Sequence, residues 1–269
     1  MSGRSGYNIS ADAAKARERY SVPYFMEPWA PGLVALAALQ PGERVLDLAC
    51  GSGVVTRVAA QQVGPSGTVT GLDINPPMLD LARALPPPAG APVTWIEASA
   101  EATGLPDASI DVILCQQGFQ FFLDKAAALR EMHRVLVPGG RLLFSIWISA
   151  GPFQIAIADA LERHIGGEAA KKFRSHRIVP DADTLHRMLV DASFRDVAVR
   201  PRAMTVRVPP MESFLLAHLS GTSIAAAVAA VSDGTRAALV AHVRTALEPD
   251  TDRDGVSVPD EINIATARK

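Results

Sequence analysis

Two glycines and two aspartates have the spacing of a site for a nucleotide-like ligand. The segment VLDLACGSGVVT at 45–56 places an apolar run before Gly51 and Gly53, and Asp73 follows Gly53 by 20 residues. A glycine has no Cβ, so the backbone can turn tightly and approach a ligand at the N-terminus of the next helix. Asp73 ends a predicted strand, where its carboxylate can accept two hydrogen bonds from a ribose diol.

The same segment disfavours a dinucleotide. The pattern G-x-G-x-x-G requires a third glycine where this chain has Thr56, and Asp47 stands four residues before Gly51. A carboxylate at that position would repel a pyrophosphate, whereas it suits a ligand with an ammonium group. An NAD-dependent oxidoreductase on a similar sheet is therefore a disfavoured alternative.

The elements around these residues alternate between strand and helix as far as residue 148. This alternation predicts a parallel sheet with crossover helices. Two helices are predicted before the first strand, at 11–20 and 30–39. The five predicted strands are 44–48, 68–74, 93–99, 109–117 and 141–147, with helices at 54–63, 78–85 and 124–136. The last of these helices is predicted to stop at Pro138-Gly139-Gly140.

The remaining third of the chain has a looser pattern. Helices are predicted at 152–166 and 181–192, with Asp181 and Asp183 as N-cap candidates. Residues 194–202 and 204–209 are predicted to be paired strands, and 261–269 to be the last strand. Two further helices in 211–247 suggest a cap over the strand ends.

Composition and charge favour a small-molecule partner. The chain has 269 residues, 26 basic against 28 acidic side chains, and a net charge of -2. This balance gives no field to attract nucleic acid or an anionic membrane. No apolar run approaches the roughly 20 residues of a membrane span, and the N-terminus lacks an apolar leader. Two cysteines 65 positions apart and scattered histidines predict no metal site and a cytoplasmic protein.

Five motifs in order resemble one family, the class I S-adenosylmethionine-dependent methyltransferases, and within it the small-molecule branch similar to enzymes of ubiquinone and menaquinone biosynthesis. The motifs are 45–56, 71–74, 101–106, 115–122 and 136–147, the last with its Pro-Gly-Gly. The resemblance implies an α/β Rossmann-like fold with a seven-stranded, mostly parallel sheet. The implied strand order is 3-2-1-4-5-7-6, with the last strand antiparallel.

The resemblance also implies one methyltransferase domain over residues 1–269. An N-terminal helical lid would occupy 1–42 and the cofactor-binding core 43–148. Late strands with a helical cap would occupy 149–269, the cap mainly at 209–247. S-adenosyl-L-methionine is the implied cofactor, with S-adenosyl-L-homocysteine as its product. The implied partner is a small-molecule acceptor, with no nucleic acid and no membrane, and the protein would be a monomer or homodimer.

The family's cofactor contacts carry over to twelve positions. Asp47, with its carboxylate before the glycine turn, is one of them. The backbone around Ala49, Gly51 and Gly53 would hold the methionine portion, and Asp73 the ribose hydroxyls. The remaining positions would contact the adenine or the sulfonium side: Ile74, Met78, Ser99, Ala100, Glu101, Gln116 and Gln117.

One of these positions departs from the family. The end of the third strand usually carries an aspartate in a Gly-Asp-Ala type sequence, and its carboxylate accepts from the adenine amino group. This chain has Ser99-Ala100-Glu101 instead. A hydroxyl accepts more weakly than a carboxylate, so the adenine contact is expected to rest partly on the Ala100 amide.

Aromatic residues in the lid and at strand ends predict a largely apolar or aromatic acceptor. The predicted substrate-pocket residues are Tyr20, Tyr24, Phe25, Trp29, Phe121 and Trp147. Methyl transfer from a sulfonium needs alignment and water exclusion more than acid–base chemistry. If the acceptor needs a base, the candidates are His176 and His218, which belong to segments expected to face the strand ends.

Several alternatives stay open. The basic run KKFRSHR at 171–177 is expected to be a solvated surface, with recognition of an acidic substrate group as the lesser alternative. A protein of the same fold with a cyclase or regulatory role would keep the cofactor site without transferring methyl. A nucleic-acid methyltransferase is disfavoured because Cys115-Gln116-Gln117-Gly118-Phe119 replaces the Asn/Asp-Pro-Pro-Tyr/Phe sequence. The missing ligand cluster disfavours a divalent-cation-dependent enzyme.

Overall fold

The computed structural model describes residues 9–148, 150–175 and 177–269, and its centre is a mixed sheet. The strands lie in the order β3-β2-β1-β4-β5-β8-β6, with a short β7 paired to β8. The strand bounds are β1 Arg44–Leu48, β2 Thr68–Asp73, β3 Val93–Glu97, β4 Ile110–Gln116, β5 Leu136–Trp147, β6 Arg195–Val208, β7 Thr251–Asp252 and β8 Gly255–Arg268. β1 to β5 pair in parallel and β8 is antiparallel to both neighbours. Apart from the two-residue β7, this confirms the predicted order.

Helices connect the strands and cover both faces of the sheet. Their bounds are α1 Ala11–Tyr20, α2 Val22–Phe25, α3 Ala30–Ala37, α4 Val54–Val63, α5 Pro76–Ala84, α6 Lys125–Val135, α7 Pro152–His164, α8 Gly167–Ser175, α9 Ala182–Asp191, α10 Met211–Ser220, α11 Ala225–Ala229 and α12 Asp233–Ala246. No helix in the described part of the chain is both long and apolar enough to cross a membrane.

The late part of the chain differs from its prediction in three places. The predicted strand pair at 194–209 is one continuous strand, β6, and residues 211–246, all described, form α10, α11 and α12 instead of two helices. Pro201 is tolerated inside β6 because β6 is an edge strand with one neighbour, β8. The basic run includes the end of α8, a helix the pattern did not predict.

The end of α6 and the start of α9 can also be compared with the prediction. The helix α6 ends at Val135, and Pro138-Gly139-Gly140, where the sequence predicted its end, lies within β5. The pairing register between β4 and β5 shifts there, between Ile110 and Val112 of β4. At α9 the Asp181 side chain accepts a hydrogen bond from the Thr184 N–H, which confirms that cap. Asp183 lies in the first turn of the helix instead.

The central strands β1 and β4 are largely apolar on both faces because both of their faces are buried. In β4, Val112 and Leu114 face the layer that contains α3, α4 and α7, while Ile113 and Cys115 face the layer of α6 and α9. Alternation with a period of two sends successive side chains to opposite layers. The crossovers then leave the carboxyl ends of β1, β2, β4 and β5 together at one edge, where the loops carry the predicted motifs.

Trp95 of β3 fixes how closely the glycine loop approaches the sheet. A Cβ on Gly53 or on Gly71 of β2 would lie 2.4 Å from the Trp95 ring. Because real side-chain carbons do not approach this closely, the indole and the two glycines form one packed unit beneath the loop.

We expect Gly71→Ala to lower the free energy of unfolding by about 1–3 kcal/mol, because the added methyl forces Trp95 out of its place. Gly32→Ala is the matched control: Gly32 is exposed in α3, and its added Cβ would contact no atom within 4 Å. This control should gain about 0.5–1 kcal/mol from helix propensity. Urea unfolding followed by circular dichroism measures both, and equal stabilities for the two variants would contradict the packing argument.

Candidate active site

The loop after β1 turns through three residues with positive φ. These are Ala49 at 58°, Gly51 at 57° and Gly53 at 90°. A non-glycine residue in this region is uncommon, so Ala49 marks a strained position of the kind found at functional sites. Gly53 forms the N-cap of α4 against Trp95, which brings the helix N-terminus to the strand ends.

Asp73 is held at the end of β2 by two backbone donors. The Gly51 N–H donates to its Oδ2 and the Asn75 N–H donates to its Oδ1, both at 2.8 Å. Burial raises the pKa of Asp73, and these hydrogen bonds oppose the rise. The carboxylate thereby ties the glycine loop to the second strand while keeping lone pairs directed toward a ligand.

Asp47 of β1 is buried with one hydroxyl donor. The Thr56 hydroxyl of α4 donates to Asp47 Oδ2 at 2.5 Å. Burial raises the pKa of Asp47 to about 7 in spite of this hydrogen bond, with a smaller contribution from Asp73. Thr56 stands where a dinucleotide site would have its third glycine, and here its hydroxyl stabilises the buried Asp47 carboxylate.

At the end of β3 the hydroxyl and the nearby carboxylate are paired. The Ser99 hydroxyl donates to the Glu101 carboxylate, and the Glu101 N–H donates to Ser99 Oγ at 3.3 Å. A carboxylate thus stands beside the position where the family has its aspartate.

The end of β4 presents polar groups without protein partners. Gln117 has φ 46° and is 3% exposed, yet neither side-chain amide atom has a hydrogen-bond partner. Gln116 donates from Nε2 to the Met26 carbonyl at 2.8 Å and leaves its Oε1 unpaired. Buried amide atoms are normally satisfied, so these groups point to a ligand.

These strand ends surround a first cavity, which opens to solvent and has a volume of about 970 Å³ when its open mouth is included. Eleven of the twelve predicted cofactor residues line it; Gly53 lies behind the loop instead. The eleven are Asp47, Ala49, Gly51, Asp73, Ile74, Met78, Ser99, Ala100, Glu101, Gln116 and Gln117. Sequence reasoning missed Arg17, Met26 and Asn75, which also line it. The first two come from α1 and the end of α2, far from any motif.

A second cavity, also open to solvent, lies beside the first and has a volume of about 660 Å³ when its open mouth is included. Three residues line both cavities: Arg17, Met26 and Phe121. The remaining lining residues are Ser21, Phe25, Trp147, Phe153, Gln154, Phe173, Arg177, His218 and Thr222. The second cavity is thus largely aromatic and carries two guanidinium groups.

Half of the predicted substrate residues line this second cavity, namely Phe25, Phe121 and Trp147. Tyr20, Tyr24 and Trp29 lie elsewhere. Tyr24 packs edge-on against Phe214, with ring centroids 5.3 Å apart, and Trp29 Nε1 donates to Asp260 Oδ2 at 2.8 Å. The Arg19 guanidinium lies 5.2 Å from the centre of the Tyr20 ring.

Of the two candidate bases, His218 lines the second cavity, whereas His176 lies outside the described residues. The His218 ring stacks on Phe214 at 5.3 Å, and its Nδ1 lies 3.0 Å from the Ser21 hydroxyl. Burial, with the positive charges of Arg17 and Arg177, lowers the pKa of His218 to about 4. The imidazole is therefore neutral at physiological pH.

Neither cysteine has the properties of a nucleophile. Burial, with the negative charges of Asp47 and Asp73, raises the pKa of both Cys50 and Cys115. Within the described ranges, no three metal-ligating side chains come together.

The raised pKa of Asp47 makes stability depend on pH. The unfolded carboxyl has a pKa near 3.8, so between about pH 4 and 7 the folded chain binds a proton that the unfolded chain releases. This contribution is complete below pH 4 and is lost as the pH rises to 7. We expect the stability of the wild type relative to Asp47→Asn to fall by roughly 2–3 kcal/mol between pH 5 and pH 8.

Urea unfolding at unit pH intervals measures this difference. Asp80→Asn, which changes an exposed carboxylate on α5, is the control and should follow the wild type at every pH. Parallel curves for the wild type and Asp47→Asn would contradict the raised pKa.

Comparisons with known proteins agree with this geometry. The methyltransferase domain family matches residues 46–144, and the protein-L-isoaspartate(D-aspartate) O-methyltransferase family matches residues 6–85. The chain is 35% identical over 191 residues to the ubiquinone/menaquinone biosynthesis C-methyltransferase UbiE of Shewanella frigidimarina, covering 63% of this chain and 73% of that protein. UbiE of Ectopseudomonas mendocina is 37% identical over 183 residues, covering 63% and 72%.

Solved structures share the fold at lower identity. The phosphoethanolamine N-methyltransferase 2 of Haemonchus contortus, solved with S-adenosyl-L-methionine, has a TM-score of 0.60 at 18% identity, covering 97% of this chain and 57% of that one. The YcgJ protein of Bacillus subtilis has a TM-score of 0.55 at 17% identity, covering 89% and 97%. The chain belongs to the class I S-adenosylmethionine-dependent methyltransferases, in the family that includes the UbiE enzymes.

Proposed function

We propose that the protein transfers the methyl group of S-adenosylmethionine to a small, planar, largely apolar acceptor. The cofactor would occupy the first cavity and the acceptor the second. The observation that carries this proposal is that the two cavities adjoin: Arg17, Met26 and Phe121 line both of them. In-line displacement needs the nucleophile and the sulfur on opposite sides of the transferred carbon, and adjoining cavities supply that arrangement.

The described residues fit the cofactor. Asp73 has free lone pairs for the ribose hydroxyls, and the backbone at Gly51 lets the methionine portion approach. Asp47 supplies a buried carboxylate for an ammonium group. The unpartnered amide of Gln117 supplies both a donor and an acceptor inside the cavity. For the adenine amino group, the Glu101 carboxylate beside Ser99 provides the charged acceptor that a hydroxyl alone would not.

The chain's remaining task is to align the acceptor and exclude water. When bound, the cofactor supplies an already activated methyl group on its sulfonium. Met26 and Phe121 would keep water from the transfer path, since both are apolar and line both cavities. His218, neutral at physiological pH, would accept a hydrogen bond from an acceptor hydroxyl. The names of the relatives make a quinone-type ring methylated at carbon the first acceptor class to test.

A cofactor-binding protein without methyl transfer is the alternative, and no specific observation favours it. The second cavity beside the first would have no use in a regulatory protein, although a cyclase would also need a substrate cavity. Release of S-adenosylhomocysteine on incubation with acceptors separates the two functions.

We expect micromolar binding of S-adenosylmethionine and S-adenosylhomocysteine, weakened at least tenfold in Asp73→Asn. The substitution removes a charged acceptor, and hydrogen bonds to charged groups contribute about 1.5–3 kcal/mol. Isothermal titration measures the affinity, with Asp80→Asn as the control that should bind like the wild type. If neither compound binds the folded wild type, the proposed function is wrong.

A further inference from the structure

We propose that Gln154 selects the acceptor in the second cavity, and that the acceptor is a planar ring with a cyclic amide whose adjacent N–H and C=O pair with the Gln154 amide. The inference rests on the proposed function and narrows its substrate class. The observation behind it is a buried side-chain amide with which no described residue forms a hydrogen bond.

The hydroxyl, imidazole and guanidinium groups that line the second cavity already have partners. The Ser21 hydroxyl lies 3.0 Å from His218 Nδ1, and the Thr222 hydroxyl donates to a backbone carbonyl of α10 at 2.7 Å. Arg17 and Arg177 are likewise engaged within the protein. These groups therefore do not by themselves indicate a ligand.

Gln154 of α7 differs from them. Its side chain lines the same cavity and is 7% exposed, yet in the described part of the chain its amide forms no hydrogen bond. The surroundings of its oxygen are poor in donors. Pro152 has no N–H, and a Cβ on Gly151 would lie 3.3 Å both from Gln154 Oε1 and from the Pro259 carbonyl oxygen. Buried amide groups are normally paired, so this one points to a ligand.

The Gln154 amide needs one acceptor and one donor from that ligand. Once a ring has displaced water, a lone carbonyl would satisfy only Nε2 and a lone N–H only Oε1, and the unpaired atom would weaken binding. A cyclic amide carries N–H and C=O side by side in one plane and satisfies both, as the paired donor and acceptor of adenine do for a glutamine. Turning the Gln154 amide by half a turn exchanges its nitrogen and oxygen and leaves this requirement unchanged.

The walls beside Gln154 fit a flat ring. Phe25 and Phe153 are stacked with centroids 5.6 Å apart, and Phe173 extends the apolar lining. Such walls bury the faces of a planar ring and leave its polar edge to be paired. Gln154 lines only the second cavity, so the amide edge would anchor the ring while the reacting atom lies toward Phe121, which lines both cavities.

The test is a binding measurement with matched compounds that does not depend on turnover. Two pairs differ only in the replacement of the ring N–H by oxygen: quinolin-2(1H)-one with coumarin, and isoquinolin-1(2H)-one with isocoumarin. Each compound is titrated into the wild type by calorimetry, with and without saturating S-adenosylhomocysteine. We expect at least one cyclic amide to bind about tenfold more tightly than its lactone, because the lactone leaves Gln154 Oε1 without a donor.

Two variants assign this preference to Gln154. Gln154→Leu removes both hydrogen-bonding atoms at similar size, so it should reduce the preference to below about twofold. Gln62→Leu, the same change at an exposed position of α4, is the matched control and should keep the preference of the wild type. If Gln154→Leu does not fold, Gln154→Met, which is unbranched like glutamine, makes the same test.

Each outcome decides the proposal. Equal binding of amide and lactone, no binding of either pair, or a preference that persists in the folded Gln154 variant would overturn it. Loss of the preference in Gln62→Leu would overturn it as well. Failure of the proposed function is separate, since it shows as absence of S-adenosylhomocysteine binding or of product release while the preference for the cyclic amide is unaffected.

Discussion

The Asp73 carboxylate is the constraint on which the first cavity depends. It is 6% exposed and accepts one backbone hydrogen bond from the glycine loop and one from the residue that begins the next turn. Burying the carboxylate without these donors would cost much free energy, so the folded state keeps the donors in place. The loop after β1 is therefore held open around the carboxylate, and its shape is set before any ligand arrives.

Asp47 is a second buried carboxylate in this cavity, so the cavity carries an excess of negative charge. Burial raises the pKa of both Asp47 and Asp73, and the negative charge of Asp73 raises that of Asp47 further. Thr56 and the backbone donors offset part of this, and Arg17 lowers the pKa of Asp73 from the far wall. A ligand with an ammonium group and a sulfonium would supply the missing positive charge. Ligand affinity and the protonation of Asp47 are then linked, because binding favours the ionised carboxylate.

The first cavity can be predicted from the sequence because its residues lie within a few positions of strand ends. The hydrophobic pattern locates the strands, and parallel pairing brings their ends together, so Gly51, Asp73 and Gln117 converge without further information. The sequence presents Thr56 only as the absence of a third glycine, because nothing local shows that its hydroxyl reaches Asp47. The continuous β6 is also not evident locally: the predicted strands 194–202 and 204–209 leave a break at Ala203, whereas β6 runs through this position because it pairs there with Glu261 of β8.

The second cavity is only partly predictable, because it is assembled from α1, α2, the end of β5, α7, α8, α10 and residues between elements. Arg17 and His218 are 201 positions apart in the chain, and neither stands in a recognisable pattern. The same assembly connects the two cavities structurally. Ser21 contacts His218 of α10, and Trp29 donates to Asp260 of β8, so the N-terminal segment is fixed to the late elements at the second cavity. Since Arg17 and Met26 from this segment also line the first cavity, the contacts of Ser21 and Trp29 fix part of the wall of both cavities at once.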